Sequence, residues 1–300
     1  MEFFMKAINN LLFPTIRELF ENLNLLRGLL FVLEKRLDNY RKQVADNNVD
    51  LSCLLAGSSL VIRKLTEFPS DGSKNYYATG KFIAKGQKYL ETLDQLIKRE
   101  SAWTVSQGYE RFESFLFDIF AMFLANNKKF AKVEEKKKNI KGWKIRLNLD
   151  KSQLNNEEWR LVLKRCYRNN VDILKNIRKW VPNFKNAIEN NNRNINLFSW
   201  YFVITKVRDA TTHSNLIIKN EILQKILQSQ ERKAILEECF PGEQLSIGYK
   251  INLSKEKTEL NLQIIGEFAL EIFNNLSIKA NYDYGIEWFK LINKKLSLNP

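Results

Sequence analysis

The segment Ser101–Asn126 reads SAWTVSQGYERFESFLFDIFAMFLAN, and its large apolar residues, Phe112, Phe115, Leu116, Ile119, Phe120 and Phe123, fall on one broad helical stripe. A helix with a face that wide and aromatic is not stable in water by itself. It has to be covered, by a core or by a subunit interface, so the chain must be built around this segment.

The rest of the chain supplies helical partners for it. Only 11 glycines and 5 prolines interrupt 300 residues, and Leu, Lys, Glu, Ile and Phe are abundant. That composition favours helices. Apolar residues make up 44%, and the length predicts one large domain or two small ones with a real core. Leu19, Leu23, Leu26, Leu30 and Leu33 predict a helix from Thr15 to about Leu65, with Pro14 suited to its first turn. Pro69-Ser70-Asp71-Gly72-Ser73 marks a boundary, and a helix follows over Lys81–Glu100. Further helices are predicted over Gln153–Tyr167, over Asn170–Ile188, and from Asn196 toward Arg208, the last after the loop Asn190–Asn194.

From Gln244 the apolar period changes to two. Leu245, Ile247, Tyr249, Ile251 and Leu253 alternate with polar residues, and Leu260, Leu262 and Ile264 resume the pattern after Ser254–Thr258. This reads as a β-hairpin packed on helices, followed by a final helix over Glu267–Lys295. The expected fold is mainly α: an N-terminal helical segment, 1–68, and a larger helical domain, 80–300. That domain carries a basic insertion at 128–146 and a small C-terminal β-hairpin at 244–265. No internal repeat and no low-complexity tail is visible.

Charge narrows the partners. The formal net charge is +14 and the pI about 9.5, which points to an anionic partner, nucleic acid before membrane or acidic protein. Lys128–Arg146 holds nine basic residues against two acids, a net +7 and half of the total excess. Such a run is either a solvated face or a track for a phosphate backbone. On the second reading Lys136, Lys137, Lys138 and Lys141 contact phosphates, with Trp143 and Phe130 available to stack on unpaired bases. The three cysteines are far apart and suggest no disulfide framework. With a single histidine and no CxxC, neither a metal site nor a cofactor is expected. The N-terminus lacks the features of a signal peptide, and the run Leu29–Leu33 is too short to span a bilayer. A soluble, cytoplasmic protein with no membrane partner is therefore expected.

His213 is the only histidine, hence the only side chain whose ordinary pKa lies near neutrality. It ends the run Arg208-Asp209-Ala210-Thr211-Thr212-His213. On a helix Asp209 and His213 share a face, so the carboxylate can orient the imidazole. Arg208 offers a fork of donors shaped for phosphate. The plainer alternative is a histidine that packs or caps a helix end. The β-branched Thr211 and Thr212 weaken the helix there, placing the run near its end. Thr212 and Ser214 read either as donors to a phosphate or as helix-end residues. Glu110 and Glu113 read as solvated face residues, with a supporting role to this site as the alternative.

An aromatic-rich helix followed by a long helix ending in Arg-[Asn/Asp/His]-x3-His resembles the HEPN superfamily, the helical domains of prokaryotic toxin–antitoxin pairs, abortive-infection systems and CRISPR effectors. The resemblance covers roughly Ser101 to Leu276. It is sharpest at Arg208–His213, with Trp200-Tyr201-Phe202-Val203-Ile204 as the apolar lead-in. The N-terminal helices and the basic insertion exceed a minimal domain of this kind, and threonines stand before His213 where bulkier aliphatics are common. The resemblance implies a HEPN-like helical bundle and a metal-independent endoribonuclease acting on RNA. Its site would be composite, formed where two copies meet in a homodimer, with Arg208, Asp209 and His213 as the catalytic set. An antitoxin or defence-system partner protein is implied as well. The family also contains inactive members, so a silent RNA- or partner-binding subunit is the alternative. A helical DNA-binding protein is a third possibility that no helix-turn-helix or zinc-finger spacing supports.

Overall fold

The computed structural model describes residues 10–46, 55–58, 61–63, 76–78, 82–85, 87–137, 154–167 and 170–282, together with 142, 144, 146, 147, 149 and 284. Ten helices and seven strands occur among them. The described chain is mainly helical, as expected, and no helix in it is long and apolar enough to cross a membrane.

The chain parts into two compact units, Met1–Gly28 with Ala102–Pro300, and Leu29–Ser101. In the second unit, the latter part of helix α1 (Phe13–Asp46) and the start of α2 (Gln87–Asn126) are joined by an Arg41–Asp94 ion pair. The Tyr40 and Tyr89 rings meet edge-on beside it, with centroids 6.1 Å apart. Four strands lie between the two helices. β1 (Leu55–Ser58) pairs antiparallel with β4 (Phe82–Lys85), and β2 (Val61–Arg63) with β3 (Tyr76–Ala78).

These strands correct two expectations. The first helix ends at Asp46 instead of continuing to Leu65, and the next begins at Gln87, after a strand, instead of at Lys81. Gly57-Ser58 is a poor helix former, whereas Val61-Ile62 and Tyr76-Tyr77 suit a pleated surface. The leucine spacing that suggested one long helix stops before this region. The boundary expected at Pro69–Ser73 lies outside the described residues.

In the first unit, α2 runs through residue 101 without a break. Its stripe is core: Phe112, Leu116, Ile119, Phe120 and Phe123 have no exposed surface and Phe115 is 3% exposed. Gly108 sits where the long C-terminal helix crosses it. A Cβ there would come within 2.7 Å of the end of the Leu262 side chain, so any larger residue at 108 requires Leu262 to shift. α3 (Lys128–Lys137) covers part of the expected basic insertion. Phe130 does not stand free on it. Its ring packs against Phe123 and Trp180, at 5.3 and 5.1 Å between centroids.

α4 (Asn156–Cys166) starts on a capping box formed by Asn155 and Glu158. The predicted helix over 170–188 is two helices, α5 (Val171–Trp180) and α6 (Asn183–Glu189). Pro182 lies between them and cannot donate into a continuous ladder. α7 (Leu197–His213) is followed by β5 (Ile217–Lys219), α8 (Asn220–Leu227) and α9 (Gln230–Cys239).

The C-terminal hairpin is shorter than expected. β6 (Gly242–Leu245) and β7 (Gly248–Ile251) pair across a two-residue turn, and β5 adds to β7 to make a three-stranded antiparallel sheet in the order β5-β7-β6. The run read as one strand is thus the whole hairpin, with Ile247 at its tip. Gly248 has φ of +155° and lies under the Ile218 carbonyl, where a Cβ would collide. Residues 260–264, read as the returning strand, belong to α10 (Lys255–Ala280). Ser254, read as part of a turn, is its N-cap and accepts from the Lys257 amide. Leu260, Leu262 and Ile264 look alternating because the buried face of α10 is wide. Thr258, Asn261, Leu262, Ile264 and Ile265 are all buried.

Candidate functional site

α7 carries the run of interest and is pinned along its length. At its start the Asn196 side chain accepts from the amides of Phe198 and Ser199 at 3.0 and 3.2 Å. Its inner face, including Trp200, Val203, Ile204 and Val207, is fully buried. The Trp200 indole donates to Asn261 Oδ1 of α10 at 3.1 Å. Against α2 it makes a polar ladder. The Tyr109 hydroxyl meets Thr205 Oγ1 at 2.9 Å and donates to Glu113 at 2.9 Å. Glu113 also accepts from Tyr201 at 3.4 Å and from Asn170 at 2.5 Å. Burial pushes both tyrosine hydroxyls well above their ordinary pKa, so they act here as neutral hydrogen-bonding groups.

Arg208 extends this ladder toward solvent. Its Nε donates to Glu110 Oε1 at 3.1 Å and its Nη1 to Asp209 Oδ1 at 3.2 Å. Glu110 and Glu113, read first as solvated residues, therefore both bind α7. Glu110 meets Arg208 and Glu113 meets Tyr201, two turns earlier on α7, a pairing visible in sequence only once the two helices are known to be neighbours.

Thr211 and Thr212 do not break the helix. Their hydroxyls donate back to the carbonyls of Val207 and Arg208, at 2.9 and 3.0 Å. That bond occupies the Thr212 hydroxyl on the backbone. The helix then stops at His213. The amides of Ser214 and Leu216 both donate to the Ala210 carbonyl at 3.0 Å. Asn215 and Leu216 are left-handed, with φ of 49° and 68°. A bulky residue in that region costs about 1–2 kcal/mol. The Ile251 amide, donating to the Leu216 carbonyl at 2.9 Å, helps to hold the turn. Strain over-determined by its surroundings is found preferentially where a site must be held in shape.

His213 stands exposed beyond this point. With Ser214, Ile217, Lys219, Glu221 and Ile247 it lines an open surface cavity of about 410 Å³. Ile247, 61% exposed at the hairpin tip, forms an apolar rim. The hairpin and the end of α7 therefore meet at one place, although they are more than thirty residues apart in the chain.

The expected set is brought together in part. Arg208, Asp209 and His213 are on the same final turns of α7, but Asp209 is engaged by Arg208 and, at 3.9 Å, by Lys206. No hydrogen bond joins Asp209 to His213 among the described residues. Arg208 and Asp209 are not on the cavity wall, whereas His213 and Ser214 are. Of the basic group, Lys138, Lys141 and Trp143 lie outside the described residues, as do the side chains of Lys136 and Lys137 at the end of α3.

A scan against protein-family models and searches among curated proteins and solved structures find no match to this chain.

Proposed function

We propose that this chain is a metal-independent endoribonuclease of a prokaryotic defence or toxin–antitoxin system, cleaving RNA at a site completed by a second copy. The observation that carries the reading is the placement of the only histidine: exposed, at a strained helix end, beside a cavity, one and a half turns after an arginine on the same helix. Cleavage by 2′-OH attack moves the proton of that hydroxyl to a base and returns one to the leaving 5′-oxygen. The products are a 2′,3′-cyclic phosphate and a 5′-hydroxyl. One imidazole per chain supplies one of those two roles, and a homodimer supplies both. Such proton transfer contributes about 10²–10⁴-fold, and a guanidinium at the developing phosphorane charge contributes on a similar scale. Arg208 is the group for that charge, exchanging Glu110 or Asp209 for a phosphate. The +14 charge favours a polyanionic substrate, as RNA is.

A second reading, a silent HEPN-like subunit that binds RNA or a partner protein, is favoured by the two carboxylates on Arg208 and by an Asp209 that is not bonded to His213. Incubation of the purified protein with total RNA in EDTA separates the two. The nuclease reading expects cleavage by the wild type and a loss of about 10²-fold or more in His213→Ala and Arg208→Ala, both folded by circular dichroism. Unchanged cleavage in the variants, or none in the wild type at any subunit concentration, rejects it. The antitoxin or defence partner belongs to the same proposal and would be expected to block this cleavage.

A further inference from the structure

The outer face of α7 has a regular row that ends at His213. Phe198, Phe202, Lys206, Asp209 and His213 follow one another at intervals of four, four, three and four residues, so they share one stripe of the helix. Both phenylalanines are half-buried, and each has a guanidinium over its ring. Arg178 of α5 lies 5.8 Å from the Phe198 centroid and Arg232 of α9 lies 3.9 Å from that of Phe202. The Lys206 ammonium is 5.8 Å from the same Phe202 ring.

Arg232 differs from its neighbours in what balances its charge. Arg178 is paired with Glu189 at 2.5 Å and Arg208 with Glu110 and Asp209. The carboxylate next to Arg232 in sequence, Glu231, is taken by the Ser199 hydroxyl. Among the described residues no carboxylate pairs with the Arg232 guanidinium, which lies over the Phe202 ring. A guanidinium held over a ring keeps donors on its edge that can meet an anion. Its outer face can take a base, and its edge a phosphate.

We propose that Phe202 and Arg232, with Lys206 beside them, form a stacking and phosphate-binding step for single-stranded RNA, on the strand leading away from the scissile phosphate at His213. Eleven residues of α-helix separate Phe202 from His213, about 16 Å along the axis. That distance holds a few nucleotides of strand. RNA as the ligand rests on the reading above, but binding does not require cleavage.

The test uses the full-length protein in EDTA and a fluorescent 12-nucleotide 2′-O-methyl RNA, which has no 2′-OH to attack. Its affinity is measured by anisotropy across a salt series. Arg232→Gln is expected to weaken binding roughly tenfold and to flatten the log–log salt slope by about 0.7, the share of one phosphate on a single strand. Arg232→Lys should keep the slope and lose several-fold in affinity, because charge survives while the stacked plane does not. A duplex of the same sequence should bind without sensitivity to either change. Wild-type affinity and slope in Arg232→Gln overturn the proposal, as does equal loss on single strand and duplex. Absence of any binding by the wild type overturns it too. If the strand binds through Arg232 but no RNA is cut, the nuclease reading fails and this one stands. If RNA is cut and Arg232→Gln changes nothing, the reverse holds.

Discussion

Asn261 is the residue on which the position of α7 most directly depends, and Asn261→Leu tests that dependence. Its side chain has no exposed surface. Its Oδ1 accepts from the Trp200 indole at 3.1 Å. Its amide nitrogen donates to the carbonyls of Cys239, at the end of α9, and of Lys257 within α10, both at 2.8 Å. Leucine has a similar volume but leaves the indole N–H and the Cys239 carbonyl buried and unsatisfied. Each costs about 1–3 kcal/mol. The extra apolar burial returns about 1–2 kcal/mol, for a net loss of about 2–3 kcal/mol. In a chain of this size that lowers Tm by roughly 3–5 °C. Thermal and urea unfolding followed by circular dichroism measure it, with the urea m-value expected to stay constant. Trp200→Phe removes the indole donor, so the double variant should lose less than the sum of the singles, with a coupling of about 1 kcal/mol. An Asn261→Leu protein as stable as the wild type, or strict additivity in the double variant, would refute the argument that this buried network holds α7 against α9 and α10.

Two further outcomes follow from single residues. Burial pushes the Cys239 thiol up to about 12 from an ordinary 9.0, so it stays neutral when folded, while the unfolded chain ionises it from about pH 9. Stability from this group is complete below pH 9 and lost as pH rises from 9 toward 12. Cys239→Ala should therefore show a shallower alkaline fall in urea midpoint, and an unchanged slope between pH 9 and 11 would reject it. At Leu216, with φ of 68°, glycine removes about 1–2 kcal/mol of backbone strain while losing a half-buried side chain, so Leu216→Gly should lie within about 1 kcal/mol of the wild type. Leu216→Val adds branching at a left-handed position and should be clearly less stable. Equal urea midpoints for the two would show that the turn carries no strain.

Much of the helical content was legible because its signals are local. The α2 stripe identified its own burial. Asn155 with Glu158, and Asn196 before Leu197, mark helix starts by side chains that reach only three residues. The errors fell where periodicity is ambiguous. Leu260, Leu262 and Ile264 alternate like a strand, yet the whole of α10 is apolar on a face wide enough to include them. The end of the first helix is not legible because leucine spacing says nothing about where a helix stops. At the candidate site the sequence pointed to Arg208, Asp209 and His213 from residue types and spacing. It did not reveal that Asp209 turns to Arg208 and Lys206, nor that Glu110 completes that cluster.

Residue types and counts alone name the groups able to do chemistry: one imidazole, an aspartate four residues before it, an arginine five before it, and a large positive excess to attract an anion. Those are counts and local periods, and they need no fold. Only the tertiary structure decided what surrounds them. The hairpin tip that walls the His213 cavity, the carboxylate of α2 that holds Arg208, and the α9 guanidinium laid on Phe202 each come from distant parts of the chain. Their meeting is set by which apolar faces bury together, and that burial depends on the whole core at once, whereas helix period and capping depend on a few neighbouring residues.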